Sequence, residues 1–242
     1  MLTPIPRSTR NAGFWSALLA TVFSLAYVVG QLAEWLGWLG SRGGPDSLST
    51  PLGIAMLLTP SLLLGSSFLV LMVSVHHIAA ADRKVWSQAA IAFATAYTVL
   101  ISIVYYVQLT LVAPRMSQGR LGGIETLLFV PFDSFLYAVD ILGYSFMSVA
   151  TLFAAAALSE AGIQRVARGF LIANGLLLPF LALQMYFHAM IWIASLWAIT
   201  FPASTWLLAI YFFRIPVAHA EAAVVASKAQ AASLTQVSGA AK

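Results

Sequence analysis

From Gly169 to Phe213 the chain contains no Asp, Glu, Lys or Arg. At a rise of about 1.5 Å per residue, this run is too long for one crossing of a hydrocarbon layer about 30 Å thick, so it must fold back as a hairpin of two helices. Lipid offers the backbone no hydrogen bonds, and only helices or closed barrels satisfy a chain that crosses it. The remainder agrees: 61% of the residues are hydrophobic and 8% charged, where soluble domains carry about 25% charged residues. The expected fold is all-α, a polytopic integral membrane helical bundle of about six transmembrane helices.

The expected spans are 14–39, 52–78, 85–112, 131–158, 163–186 and 190–213, forming one bundle over 14–214. Residues 1–13, with Pro4, Pro6, Arg7 and Arg10, read as a short, poorly ordered cytoplasmic arm, and 215–242 as a disordered, Ala-rich cytoplasmic tail. The first span outlasts the apolar core of a signal peptide and ends in Trp35 and Trp38 rather than in a small-residue cleavage site. Pro60 should kink the second span, with Ser61, Ser66 or a neighbouring helix satisfying the freed carbonyl. Residues 114–125 read as a polar loop and 124–130 as a short interfacial helix. The hairpin turn should include Tyr186, Phe187 and His188. Arg7, Arg10, Arg83, Lys84, Arg165, Arg168, Arg214, Lys228 and Lys242 fall on one side of the spans, against Arg42, Arg115 and Arg120 on the other. That asymmetry predicts both termini inside, N-in/C-in, in the cell membrane.

The span 131–158 carries two acids, Asp133 and Asp140. On a helix advancing about 100° per residue, Asp133, Tyr137, Asp140 and Tyr144 share one stripe, extended by Met147 and Thr151. A carboxylate facing lipid costs at least about 2.5 kcal/mol at mid-bilayer, so the stripe should face other helices or a wet cavity. Tyr27, Gln31, Glu34 and Trp38 repeat the same spacing in the first span. Sorted by depth, Gln31, Glu34, Gln108, Asp133 and Gln184 come out in the outer half with Asp140 below them. Together with Tyr137 and Tyr144 they are the candidate lining of a ligand or ion pocket open to the outside. No span holds a deep Lys or Arg to pair with Asp140. Two of these acids have competing roles: Asp133 as a first-turn cap of a helix begun by Pro131, and Glu34 as a side chain reaching out to the interface.

Other chemistry is poorly represented. Without cysteine there is no disulfide, thiolate metal site or cysteine nucleophile. His76-His77 are adjacent, pointing about 100° apart, with no ligand partner at helical spacing, so no metal site is expected. His188 and the Trp and Tyr residues at span ends read as an interfacial aromatic belt. No nucleophile elbow, zinc-protease signature or phosphate loop occurs, and no cofactor is implied. Asp133 and Asp140 lie on one helix about 10 Å apart by rise, which excludes a shared-proton aspartyl dyad. The dispersed Lys and Arg exclude a nucleic-acid surface, leaving the lipid bilayer and a small solute or cation as partners. Three functions remain: binding or moving a small solute, proton or cation; a structural or accessory subunit whose acids are interhelical glue; and an enzyme acting on a lipid headgroup through Glu34 or Asp133.

Overall fold

The computed structural model describes residues 4–43, 47–130 and 132–218. Its framework is six helical spans long and apolar enough to cross a membrane: α1 (Arg7–Trp35), α2 (Pro51–Ile78), α3 (Ala81–Ser117), α4 (Phe135–Ala157), α5 (Gly162–Leu183) and α6 (His188–Arg214). The expected all-helical membrane bundle is therefore the fold. No strand occurs among the described residues, apart from an isolated parallel bridge between Ile5 and Val217.

Each span packs against its neighbours in sequence, and α6 packs back against α1, so the six form a closed ring. Between helices in lipid there is no hydrophobic driving force, and association depends on close approach and on hydrogen bonds. The sequence supplies both. The buried face of α1 is built almost entirely of small residues, Gly13, Ser16, Ala17, Ala20, Thr21, Ser24 and Gly30. Gly13 lies directly against the Phe212 ring of α6, where a Cβ would collide with it. The Thr21 and Thr205 hydroxyls join α1 to α6 at 2.8 Å. On the other side of the ring, Asn174 of α5 donates to Thr151 of α4 at 3.3 Å and accepts from Thr200 of α6 at 3.1 Å. The outward faces stay apolar: Val29 is 66% and Ile199 64% exposed, a surface suited to lipid.

The spans differ from their expected bounds in instructive ways. Helix α1 begins at Arg7, ahead of Phe14, because nothing after Pro6 interrupts a helix. Helix α3 runs past Val112 to Ser117 through a π-helical segment, Gln108–Val112, and takes in Pro114, which sequence reading assigned to the loop. Residues 124–130 hold only a 3-10 turn, Glu125–Leu127, in place of an interfacial helix. Pro131 lies outside the described residues. The helix expected to start there starts at Phe135, capped by Ser134, whose hydroxyl accepts from the Tyr137 N–H at 3.1 Å. Asp133 thus precedes the cap, exposed, and is not a first-turn residue. Pro60 is inside α2, yet Ser61 and Ser66 bond the Leu57 and Leu63 carbonyls, leaving that of Met56 to the close approach of Gly30 from α1.

Helices α5 and α6 are the irregular pair. The first tightens at Leu176 and Leu177, ahead of Pro179, and the second at Ser195 and Leu196. Bonds three residues back, such as Leu177 to Asn174 and Leu196 to Ile193, keep the backbone paired there. The joining turn runs through Gln184 to Phe187 and gives way to a 3-10 turn at His188, where the sequence suggested. The α6 interruption, at Ser195, borders one side of the ring interior.

Candidate functional site

That side holds a cavity of about 300 Å³, bounded by α1, α4, α5, α6 and the segment before α4. Tyr27, Gln31 and Trp35 reach it from α1, Tyr137, Asp140 and Tyr144 from α4, Gln184 from the end of α5, and His188, Trp192 and Trp197 from α6. On the α2 and α3 side the ring interior is solid: Phe68, Tyr97 and Phe201 pack ring to ring at 5.5–5.8 Å.

Asp140 is the chemical centre of this space. It is 3% exposed, and its Oδ1 has no hydrogen-bond partner among the described residues. No Lys or Arg lines the cavity. The acid sits one turn from Tyr137 and one turn from Tyr144 on the buried stripe of α4, and Tyr27, Tyr97 and Tyr105 lie within electrostatic reach of it. Those hydroxyls are partly committed elsewhere. Tyr105 donates to Tyr144 at 3.1 Å, and Tyr27 donates to Gln31 at 3.2 Å. Tyr105 is also placed to donate to the carboxyl and the Tyr97 hydroxyl is itself unpartnered among the described residues, yet Oδ1 retains free acceptor capacity in a place where polar groups are normally paired.

Aromatic rings form most of the wall. Trp197, at the tightened start of the main helix of α6, stands 5.5 Å from Tyr27 and 5.8 Å from Tyr144, ring centre to ring centre. Nearer the mouth, Phe132 stacks on His188 at 5.7 Å and meets Tyr137 at 4.9 Å, and Trp35 pairs with Trp192 at 5.8 Å. Tyr27 and Trp35 are eight residues apart on α1, so the floor lies about 12 Å from the rim.

Of the residues singled out from sequence, Asp140, Tyr137, Tyr144, Gln31 and Gln184 line the cavity, while Glu34, Gln108 and Asp133 do not. Glu34 neither reaches outward nor opens into the cavity. It is 1% exposed, accepts from the Ser49 hydroxyl at 2.6 Å and lies 3.5 Å from the Gln31 amide. Gly43 and Gly53 press against it, and at Gly43 the backbone has φ +59°. Gln108 points away on α3, donating to the Leu127 carbonyl. Its Oε1 is also unpartnered, but Gln108 does not line this cavity.

Reading from sequence missed the aromatic wall, since Trp192, Trp197 and His188 were assigned to the interfacial belt. A signal was present for Trp197. It shares the buried face of α6 with Phe201, Ser204, Thr205 and Leu208, and the hydroxyl residues mark that face as the inward one. His76, by contrast, is occupied structurally, its Nδ1 lying 2.8 Å from the Ser87 hydroxyl. Among the described residues no three His, Asp or Glu come together in a way that would hold a metal ion. Neither a protein family model, nor a curated protein sequence, nor a solved structure matches the chain.

Proposed function

We propose that this membrane bundle binds or moves a small solute, proton or cation through the aromatic cavity, with Asp140 as the group that engages it. The observation that carries this reading is the free acceptor oxygen of Asp140 in a cavity wall without lysine or arginine. A carboxyl used only as glue would have both oxygens tied across a helix interface; Tyr105 reaches the Asp140 carboxyl from α3, but Oδ1 stays free, and the other ties in this ring are made by Thr21, Thr205, Asn174, Thr151 and Thr200. Of the two acids the lipid-enzyme reading could use, Glu34 is wrapped by its loop, and Asp133 is exposed but does not line the cavity. The positive-inside asymmetry favours cytoplasmic termini in the cell membrane with the cavity open outward. A C-terminal reporter active only in the cytoplasm tests that orientation, and signal from an externally active reporter alone would reverse it.

Ligand binding to the folded state raises the melting temperature by mass action. The test is therefore thermal melting of the detergent-solubilised chain across a panel of salts, amines and neutral solutes, for the wild type and Asp140→Asn. At least one compound should stabilise the wild type and leave the variant unmoved. Superimposable responses across the whole panel would remove the cavity's claim to a ligand.

A further inference from the structure

We infer that the ligand is an organic ammonium ion with a compact apolar body, seated with its charge between Asp140 and the faces of Trp197, Tyr27 and Tyr144. This inference rests on the reading of the cavity as a ligand site and narrows it to one chemical class.

The wall chemistry makes the choice. A hard inorganic cation such as calcium needs about six to eight oxygen ligands to replace its hydration shell. The cavity offers one carboxylate, two amides and a few hydroxyls that already serve one another. An anion would meet an unpaired carboxyl and no Lys or Arg. A neutral apolar solute would leave Asp140 Oδ1 buried with nothing to accept from, at a cost of about 1–3 kcal/mol. A proton alone would satisfy the acid but leaves unexplained why a space of about 300 Å³ is kept open beside it. That volume is at the lower end of pockets that hold small organic molecules. An ammonium group satisfies the charge of Asp140, and Trp and Tyr faces attract its positive surface through their quadrupoles, Trp most strongly. Trp197 lines the cavity together with Asp140, Tyr27 and Tyr144, its ring centre 5.5 Å from that of Tyr27 and 5.8 Å from that of Tyr144. The apolar body of the ligand then lies toward Ile141 and Leu181, which also line the space.

The experiment compares the protonated form of N,N-dimethylbenzylamine, whose N–H can donate to Asp140 Oδ1, with isobutylbenzene, in which carbon replaces nitrogen and the charge and its donor are lost together. Binding is measured on the full-length, detergent-solubilised protein by titration calorimetry and by thermal shift, alongside sodium, calcium and a pH series. The expected result is stabilisation by the ammonium and none by its uncharged isostere. Asp140→Asn should weaken ammonium binding by tenfold or more. Trp197→Leu should weaken it by about three- to thirtyfold, the range of a desolvated cation–π contact, while Trp197→Phe retains most of it. The Trp197 pair keeps the test decisive should Asp140→Asn fail to fold. Equal binding of both isosteres, or equal loss in Trp197→Leu and Trp197→Phe, overturns the ammonium assignment. Stabilisation by sodium, calcium or pH alone, abolished in Asp140→Asn, overturns the assignment and leaves the ligand site standing. No stabilisation by anything in the panel overturns both.

Discussion

Glu34 and Asp140 are carboxyls of nearly equal burial in the same half of one ring, 1% and 3% exposed, and the protein treats them in opposite ways. Around Glu34 the chain brings a serine hydroxyl, an amide and two glycines, Gly43 and Gly53, whose missing side chains let the backbone approach it closely. Around Asp140 it brings rings, leaves an oxygen unpartnered and keeps space in front of it. Burial alone therefore does not mark a functional acid in a membrane bundle. Whether the surroundings have already answered its hydrogen-bonding capacity does.

The contrast can be broken by making parallel changes at the two sites. Glu34→Leu leaves the Ser49 hydroxyl and the Gln31 amide facing a hydrocarbon side chain and should destabilise the protein by about 3 kcal/mol in thermal or denaturant melts. Gly43→Ala should cost about 2 kcal/mol, since its φ of +59° disfavours a side chain and the added Cβ would stand 2.6 Å from Glu34 Oε2. Asp140→Leu should act in the other direction, raising the stability of the ligand-free protein by about 1 kcal/mol, because an unanswered buried carboxyl gives way to an apolar group. A loss of stability at Asp140→Leu as large as that at Glu34→Leu would erase the distinction. The smallest effect belongs to a third acid, Glu160, exposed in the turn between α4 and α5 and paired with Arg168. The hydrogen bond and charge of Arg168 hold its carboxyl below the ordinary glutamate range. Its contribution is present above that range, about pH 4.3, and fades as pH falls through the depressed folded-state value. Glu160→Gln should lower melting slightly at neutral pH, leave the most acidic melts unchanged and so flatten the acid limb of the curve.

The six spans were legible in the sequence; direction around the ring was not. Hydropathy and turn chemistry located all six spans, and the stripe of Tyr137, Asp140 and Tyr144 correctly named the inward face of α4. Gln108 was sorted to the same level as Gln31, but α3 neighbours α2 and α4, and Gln108 bonds the Leu127 carbonyl without lining the cavity. Which spans are neighbours is decided by packing across the ring, and the local pattern of one span does not contain it. Asp133 was misplaced for a different reason. Asp133 and Ser134 are both good N-cap residues in consecutive positions, and only the backbone bond from Tyr137 shows that the serine is the one used. The Trp residues at span ends were ambiguous because one preference for a half-wet setting serves both a bilayer boundary and a cavity mouth.

The pairing of Ile5 with Val217 has a consequence for chain connectivity. The Ile5 N–H donates to the Pro216 carbonyl at 3.1 Å and the Ala218 N–H to the Ile5 carbonyl at 2.9 Å, so the chain leaves α6 beside the place where it enters α1. With every helix touching the next and the last touching the first, the sequence describes a circle whose starting point is arbitrary. Joining 218 to 4 and opening the turn at 158–161 instead would conserve each helix pair. It would also put the new ends on the membrane face the old ones occupied, because the cut moves the start by an even number of crossings.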